Sequence, residues 1–116
     1  MLDGECQTFV SDCHVRAAAE LLSHSWDPVV LSALRLGPLR RKDLLGRIGG
    51  ISDKVLTESL RRLRSRALVA RVTDVERPPV RPSGAFYQLT SLGESLASGP
   101  LAHLAQWAAN HQAELA

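Results

Sequence analysis

Residues 51–66 carry the pattern that most restricts how this chain can fold. The segment reads ISDKVLTESLRRLRSR, and its leucines Leu56, Leu60 and Leu63 recur at i, i+4 and i+7. That spacing places apolar side chains on one face of a helix. Ser52, just before the repeat, is a favoured helix N-cap residue. The sequence therefore predicts an amphipathic helix with one buried face and an opposite face rich in arginine.

The positive charge of the chain is concentrated around this helix. Residues 35–81 hold thirteen of the fourteen Lys and Arg residues and five acidic residues, a local net charge of +8. The rest of the chain has one arginine and seven acidic residues, a net charge of −6. Crowded like charges destabilise a fold unless a polyanion binds them, whereas a merely solvated surface would mix both signs. The distribution therefore favours a nucleic acid as the partner.

The segments before this helix predict three shorter helices. They cover residues 13–24, 25–37 and 40–50. Ser11 or Asp12 is suited to cap the first helix, and Asp27 the second. The third helix should end at Gly49-Gly50, which allows a sharp turn into the basic helix.

The segments after the basic helix predict a β-hairpin and a helical end. Residues 67–75 and 85–90 have the composition of strands, and the three prolines between them predict a projecting loop. Residues 91–116 should be helical with an interruption near Gly99-Pro100, and Ser91 and Glu94 fit a capping box.

This order of elements indicates a single domain that is mainly α with a small β-hairpin, a winged helix-turn-helix. Residues 1–12 would form an N-terminal arm. A helix-turn-helix places its second helix in the DNA major groove, which explains why that helix has a basic exposed face. A winged helix used only for protein–protein contact is the alternative, but it would not require this local charge.

Other functional classes have weaker support in the sequence. No apolar run is long enough to span a membrane and no signal peptide is evident, so we expect a cytoplasmic protein with reduced thiols at Cys6 and Cys13. Cys6, Cys13, His14 and His24 match no zinc-ligand spacing. Without a nucleophile elbow, phosphate loop or paired carboxylates, we expect neither an enzyme nor a cofactor.

Residues 26–72, together with a later Tyr-x-Leu-Thr-x-x-Gly pattern, resemble the HxlR-type family of bacterial regulators, relatives of the MarR-type winged helices. The resemblance covers roughly residues 13–107. The matching residues are Trp26, Leu34, Gly37, Leu44, Gly50-Ile51-Ser52, Lys54, Leu56-Thr57, Leu60, Leu63, Leu68-Val69, Arg71, Tyr87, Leu89-Thr90 and Gly93. The unbroken Gly-Ile-Ser-x-Lys-x-Leu-Thr segment is the most specific part.

The resemblance implies a homodimeric transcription regulator that binds an inverted-repeat operator. Family members usually dimerise through the first and last helices, which implies a dimerisation helix within residues 91–116. Leu101, Leu104, Trp107 and Ala108 would form its apolar stripe. Alternatively, this stripe only closes the protein's own core.

The geometry of a helix-turn-helix assigns candidate DNA contacts. Base contacts are expected from the outward face of the basic helix, at Ser52, Lys54, Thr57 and Arg61. Phosphate contacts are expected from Arg62 and from Arg40, Arg41 and Lys42 near the preceding helix. Arg77 and Arg81 flank the wing tip and are expected at the adjacent minor groove.

Cys13 is a candidate sensor of oxidants or electrophiles. It occupies the place where the resembling family usually has a cysteine, which in several members controls DNA affinity. A thiol at a helix N-terminus, near His14 and Arg16, also favours its thiolate form. Cys6 is a candidate resolving partner. Two alternatives stay open: Cys13 is an inert packed residue, or a small aromatic effector binds between the first and last helices.

Overall fold

The computed structural model of the protein describes residues 13–73 and 85–115. The helices are α1 (His14–Leu21), α2 (Trp26–Ala33), α3 (Arg41–Arg47), α4 (Asp53–Ser65), α5 (Ser91–Leu96), α6 (Ala102–Asn110) and α7 (Gln112–Leu115). A 3-10 turn (Leu34–Leu36) continues α2, and a π-helical turn (Ala97–Leu101) joins α5 to α6. The strands are β1 (Leu39–Arg40), β2 (Val69–Thr73) and β3 (Ala85–Leu89).

This arrangement confirms the predicted winged helix-turn-helix and adds a strand. In the part of the chain that the structure describes, the sheet is antiparallel in the order β1-β3-β2. The expected hairpin pairs β2 with β3, with Val69 opposite Leu89. The additional strand β1 pairs with β3, with Leu39 opposite Tyr87. The short segment before α3 is therefore attached to the base of the wing.

The leucine stripe of α4 lies at the centre of the hydrophobic core, as predicted. Leu56, Leu60 and Leu63 are all buried. They belong to one cluster with side chains of α2, α3, the start of β2 and the π-helical turn: Val30, Leu31, Leu34, Leu44, Ile48, Ile51, Leu68, Val69, Ala97 and Leu101. Burying a leucine stabilises a fold by about 1.5–3 kcal/mol, so this stripe fixes the orientation of α4.

The ends of α4 have clear local causes. Ser52 is its N-cap, as predicted, and its hydroxyl accepts a hydrogen bond from the Val55 N–H at 3.1 Å. Gly50 precedes it with a φ of +89°, so the expected sharp turn uses backbone freedom that glycine provides. At the other end Ala67 has a φ of +61°, and the Leu68 N–H donates to the Leu63 carbonyl at 2.9 Å. This is a Schellman-type end with alanine where glycine is usual.

Two predicted caps are wrong. Asp27 is the second residue of α2 rather than its cap; Ser25 holds the cap position and Asp27 is buried. Thr90, not Ser91, caps α5, and its hydroxyl accepts from the Gly93 N–H at 3.0 Å. The capping-box pattern was thus displaced by one residue.

The remaining helix predictions hold with shorter bounds. The first helix ends at Leu21, and Cys13 is its N-cap without a side-chain cap bond; Ser11 and Asp12 lie outside the described residues. The expected interruption of the terminal helix is the π-helical turn that contains Pro100. Proline lacks the N–H that a regular α-helix needs, which accounts for the irregularity.

Candidate DNA-binding surface

The candidate surface is the outward face of α4 with the start of α3. Ser52, Lys54, Thr57 and Arg61, the four predicted base contacts, are all exposed. Lys54 and Arg61 make no ion pair or hydrogen bond with a residue that the structure describes. Lys54, Thr57 and Arg61 recur at i, i+3 and i+7 and therefore share one face of α4, and Ser52 lies at its N-terminus.

Arg41 connects the two helices of the helix-turn-helix. Its guanidinium forms an ion pair with Asp53 Oδ1 at 2.5 Å and donates to the Asp53 carbonyl at 2.8 Å. It also donates to the Thr57 hydroxyl, which in turn donates to the Asp53 carbonyl at 3.0 Å. Arg41 thus fixes the first turn of α4 against the start of α3.

Arg62 lies on the other side of α4 and contacts α2. Its Nε and Nη2 donate to the two carboxylate oxygens of Asp27 at 3.0 and 2.9 Å. Ser59 Oγ donates to Asp27 Oδ1 at 2.6 Å. Asp27 is 1% exposed and Ser59 is 0% exposed, so the carboxylate is enclosed by its partners. Nη1 of Arg62 makes no hydrogen bond with a described residue, so the expected phosphate contact of Arg62 stays a prediction.

Burial and hydrogen bonding act in opposite directions on this carboxyl group. Burial raises the pKa of Asp27, but hydrogen bonds from Arg62 and Ser59, with the positive charge of Arg62, lower it further than burial raises it. The pKa is therefore below its ordinary value, and Asp27 is ionised at neutral pH. The same pairing raises the pKa of Arg62.

Two of the other four predicted phosphate and minor-groove contacts lie in the described part of the chain. Lys42 is exposed at the start of α3, and the guanidinium of exposed Arg40 lies 4.7 Å from the centre of the Phe86 ring. This cation–π contact attaches Arg40 to β3. Arg77 and Arg81 lie outside the described residues.

A small basic cavity at this surface was not predicted from the sequence. It has a volume of about 190 Å³ and lies where α3, α4 and β3 meet. Its lining residues are Arg41, Thr57, Leu60, Arg61, Arg64 and Tyr87. Arg64 follows Thr57 and Arg61 at helical spacing, so periodicity alone was a signal for it. The place of Tyr87 depends on strand pairing.

The candidate sensor Cys13 is buried, 6% exposed, and is disulfide-bonded. The expectation of a resting thiol is therefore wrong for this structure. The only other cysteine of the sequence, Cys6, lies outside the described residues. The location of Cys13 at the N-terminus of α1 is as predicted.

The predicted dimerisation stripe divides into two parts. Leu101 is buried in the core, whereas Leu104 and Trp107 are 47% and 50% exposed and Ala108 is exposed. An apolar cavity of about 90 Å³ lies beside the stripe. It is lined by Ala18, Leu21, Leu22, Leu31, Leu96, Pro100, Leu101 and Leu104. The stripe therefore closes the core at one end and offers apolar surface at the other.

Two further findings concern other classes of site. Within residues 13–73 and 85–115, no helix has the length and hydropathy needed to cross a bilayer. Among those same residues, no group of three or more His, Cys, Asp or Glu side chains is arranged to hold a metal ion.

Known proteins provide an independent comparison. The HxlR-like helix-turn-helix family model matches residues 21–115. The HTH-type transcriptional regulator YtfH of Escherichia coli (strain K12) is 36% identical over 103 residues, which cover 89% of this chain and 78% of YtfH. The structure of the transcriptional regulator ytfH from Salmonella typhimurium is 32% identical with a TM-score of 0.73, covering 96% of this chain and 95% of that one.

Two structures of the transcriptional regulator YodB from Bacillus subtilis are similar to this chain. Its reduced form is 30% identical with a TM-score of 0.68, covering 83% of this chain and 90% of YodB. Its quinone-bound form is 25% identical with a TM-score of 0.68, covering 91% and 99%. By its sequence match and its winged helix-turn-helix structure, the chain belongs to the HxlR-like helix-turn-helix family.

Proposed function

We propose that this HxlR-type transcriptional regulator binds double-stranded DNA as a homodimer on an inverted-repeat operator, with α4 in the major groove. One observation carries the proposal. The leucine face of α4 is buried in the core, while Lys54, Thr57 and Arg61 are exposed on the opposite face. A recognition helix needs this division, because only its outward face reaches base edges.

Each exposed side chain has a proposed role. Lys54 and Arg61 donate to guanine O6 and N7, and the Thr57 methyl contacts a thymine methyl. Ser52 contacts DNA where its hydroxyl caps the helix. Arg40, Arg41 and Lys42 contact phosphates, and Arg77 and Arg81 enter the minor groove beside the wing.

Duplex binding tests this function directly. Fluorescence anisotropy with DNA fragments selected by the purified protein should give an affinity that falls steeply as salt rises, because bound phosphates release counterions. Arg61→Ala should weaken binding by about 1–3 kcal/mol and relax sequence preference. Arg16→Ala removes the same charge from α1 and is the matched control. A DNA affinity that does not depend on salt, or equal affinities of all three proteins, would contradict the assignment and favour a protein-interaction module.

Homodimerisation is supported by the exposed part of the terminal stripe. Leu104 and Trp107 are large apolar residues that stay half exposed in one chain. Two recognition helices related by a twofold axis would match half-sites about 34 Å apart.

We also propose that oxidation or electrophile modification of Cys13 changes DNA affinity. Two observations support this: Cys13 is disulfide-bonded in the structure, and the similar regulator YodB has been solved in reduced and quinone-bound forms. Diamide would accept the two electrons and two protons that a pair of thiols loses on forming a disulfide. Wild-type operator affinity should differ between diamide and dithiothreitol, and Cys13→Ser should respond to neither. Identical wild-type affinities under both conditions would contradict this switch.

A small apolar effector is a second means of control, favoured by the cavity between α1, α2 and the terminal helical region. Its lining is made almost entirely of leucine and alanine side chains, with Pro100, so the ligand would be a small hydrocarbon or aromatic molecule. Filling the cavity by Ala18→Leu should abolish an effector response and leave the Cys13 response unchanged. If Ala18→Leu keeps the effector response, the cavity has no role in regulation.

A further inference from the structure

The basic cavity at the junction of α3, α4 and β3 has the composition of an oxyanion site. Three of its lining residues are arginines, Arg41, Arg61 and Arg64, and two more, Thr57 and Tyr87, carry hydroxyl groups. None of the lining residues is acidic. Guanidinium groups are strong donors to phosphate because their planar N–H groups match two oxygens at once.

The cavity is large enough for a phosphate group. Its volume is about 190 Å³, many times the roughly 10–15 Å³ that one water-sized probe needs. The space therefore admits the five heavy atoms of a phosphate. Leu60 provides an apolar floor from the buried side of α4.

Part of the cavity wall is fixed before any ligand binds. Arg41 is held by Asp53 and Thr57, and these contacts use three of the five N–H donors of its guanidinium. Tyr87 lies on β3 between Leu39 of β1 and Arg71 of β2. A wall that is already ordered loses little entropy on binding, which favours affinity.

Two of the three cavity arginines have no counter-ion among residues 13–73 and 85–115. Arg61 and Arg64 make no ion pair or hydrogen bond with any residue in the ranges that the structure describes. Exposed Arg71 is directly opposite Tyr87 and shares its face of the sheet, which adds positive charge nearby. Asp53 pairs with Arg41 and not with Arg61 or Arg64.

We propose that this cavity binds one phosphodiester of the DNA backbone, held by Arg64 and Arg41 with the hydroxyl of Tyr87. The inference rests on the proposed function and adds a specific anchor to it. A phosphate bound between α4 and strand β3 would determine how deeply α4 enters the major groove. Backbone contacts of this kind determine register, and base contacts then determine sequence.

A backbone-neutralisation scan tests the assignment. Duplexes selected by the wild-type protein are made with a single uncharged methylphosphonate at each successive position. Wild-type affinity should fall about tenfold at one position per half-site, as loss of a charge-assisted contact predicts. Arg64→Gln should lose sensitivity at that position alone, and the slope of log K against log salt should decrease by about 1.

The controls separate the possible outcomes. Arg16→Gln removes a charge from α1 and should lose affinity at the same methylphosphonate positions as the wild type. If Arg64→Gln also loses affinity at all of those positions, the phosphate assignment is overturned while DNA binding stands. If the wild-type protein binds no duplex, the proposed function fails first. Inorganic phosphate, added at constant ionic strength, should compete weakly with DNA for wild type and not for Arg64→Gln; tight competition would instead indicate a site for free phosphate.

Discussion

Asp27 and Arg62 form an ion pair that joins α2 to the recognition helix α4. The two residues are 35 positions apart in sequence, and both carboxylate oxygens accept hydrogen bonds from the guanidinium, at 3.0 and 2.9 Å. Ser59 provides the third bond, at 2.6 Å. The pair therefore positions α4 against α2 through a buried carboxylate.

Removing one member of this pair should destabilise the fold. In Arg62→Ala the buried Asp27 carboxylate keeps only Ser59, and we expect the free energy of unfolding to fall by about 3 kcal/mol. Replacing both, as in the double variant Asp27→Leu with Arg62→Met, leaves no buried charge and should recover much of that loss. Urea unfolding of the two variants checks this. A double variant less stable than Arg62→Ala would contradict it.

The same pair gives the stability a specific pH dependence. Burial raises the pKa of Asp27, but the hydrogen bonds from Arg62 and Ser59 together with the positive charges of Arg62 and His24 lower it more, so the folded pKa is below the unfolded value of about 3.9. The contribution is therefore complete above that unfolded value and is lost as pH falls through the lower folded pKa. Between pH 5 and 2, wild type should lose more stability than Asp27→Asn, whose side chain does not titrate. Parallel curves for the two proteins would contradict the assignment.

Gly93 should tolerate no side chain. A Cβ at this position would lie 2.0 Å from the carbonyl oxygen of Leu68, an impossible contact with backbone. That carbonyl also accepts a hydrogen bond from the Thr90 N–H at 3.1 Å, and moving the carbonyl would break this bond. Gly93→Ala should lower the free energy of unfolding by roughly 3 kcal/mol, the upper range for overpacking. Gly46→Ala, at an open helical position, is the control and should be neutral or slightly stabilising.

Features that depend on nearby residues could be predicted from the sequence. The leucine stripe of α4, its Ser52 cap and the turn at Gly50 each follow from residues within one or two helical turns. The exposed cationic face followed from the same periodicity. These interactions are local, so the sequence order is nearly the spatial order.

Features that depend on distant contacts could not be predicted. Asp27 has the composition of an N-cap, and only the fold places it beside Arg62 and Ser59. Strand β1 has two residues, too few for a pattern, and exists because Leu39 pairs with Tyr87 far along the chain. The basic cavity combines α3, α4 and β3, so Arg64 acquires its neighbours only in the folded protein.

Ala67 has a strained backbone conformation that a glycine would relieve. Its φ of +61° is in the left-handed region, which costs an L-residue with a Cβ about 1–2 kcal/mol. Ala67→Gly removes that strain but adds entropy to the unfolded chain, so we expect a net gain of about 0.5–1 kcal/mol in thermal or urea unfolding. Ala17→Gly, in the middle of α1, should lose about 1 kcal/mol. A loss of stability at both positions would contradict the strain assignment.

The exposed part of the terminal stripe predicts the assembly of the protein. Leu104 and Trp107 are 47% and 50% exposed, so covering the exposed half of each should contribute about 1 kcal/mol, and a symmetric dimer covers four such side chains. The double variant Leu104→Ser with Trp107→Ser should therefore weaken the dimer by a factor of several hundred, measured by sedimentation velocity over a dilution series. Leu36→Ser, at an 87% exposed leucine outside this stripe, should leave the dimer unchanged. If the double variant and wild type sediment alike as dimers, the interface lies elsewhere; if both are monomers, the apolar face has another occupant.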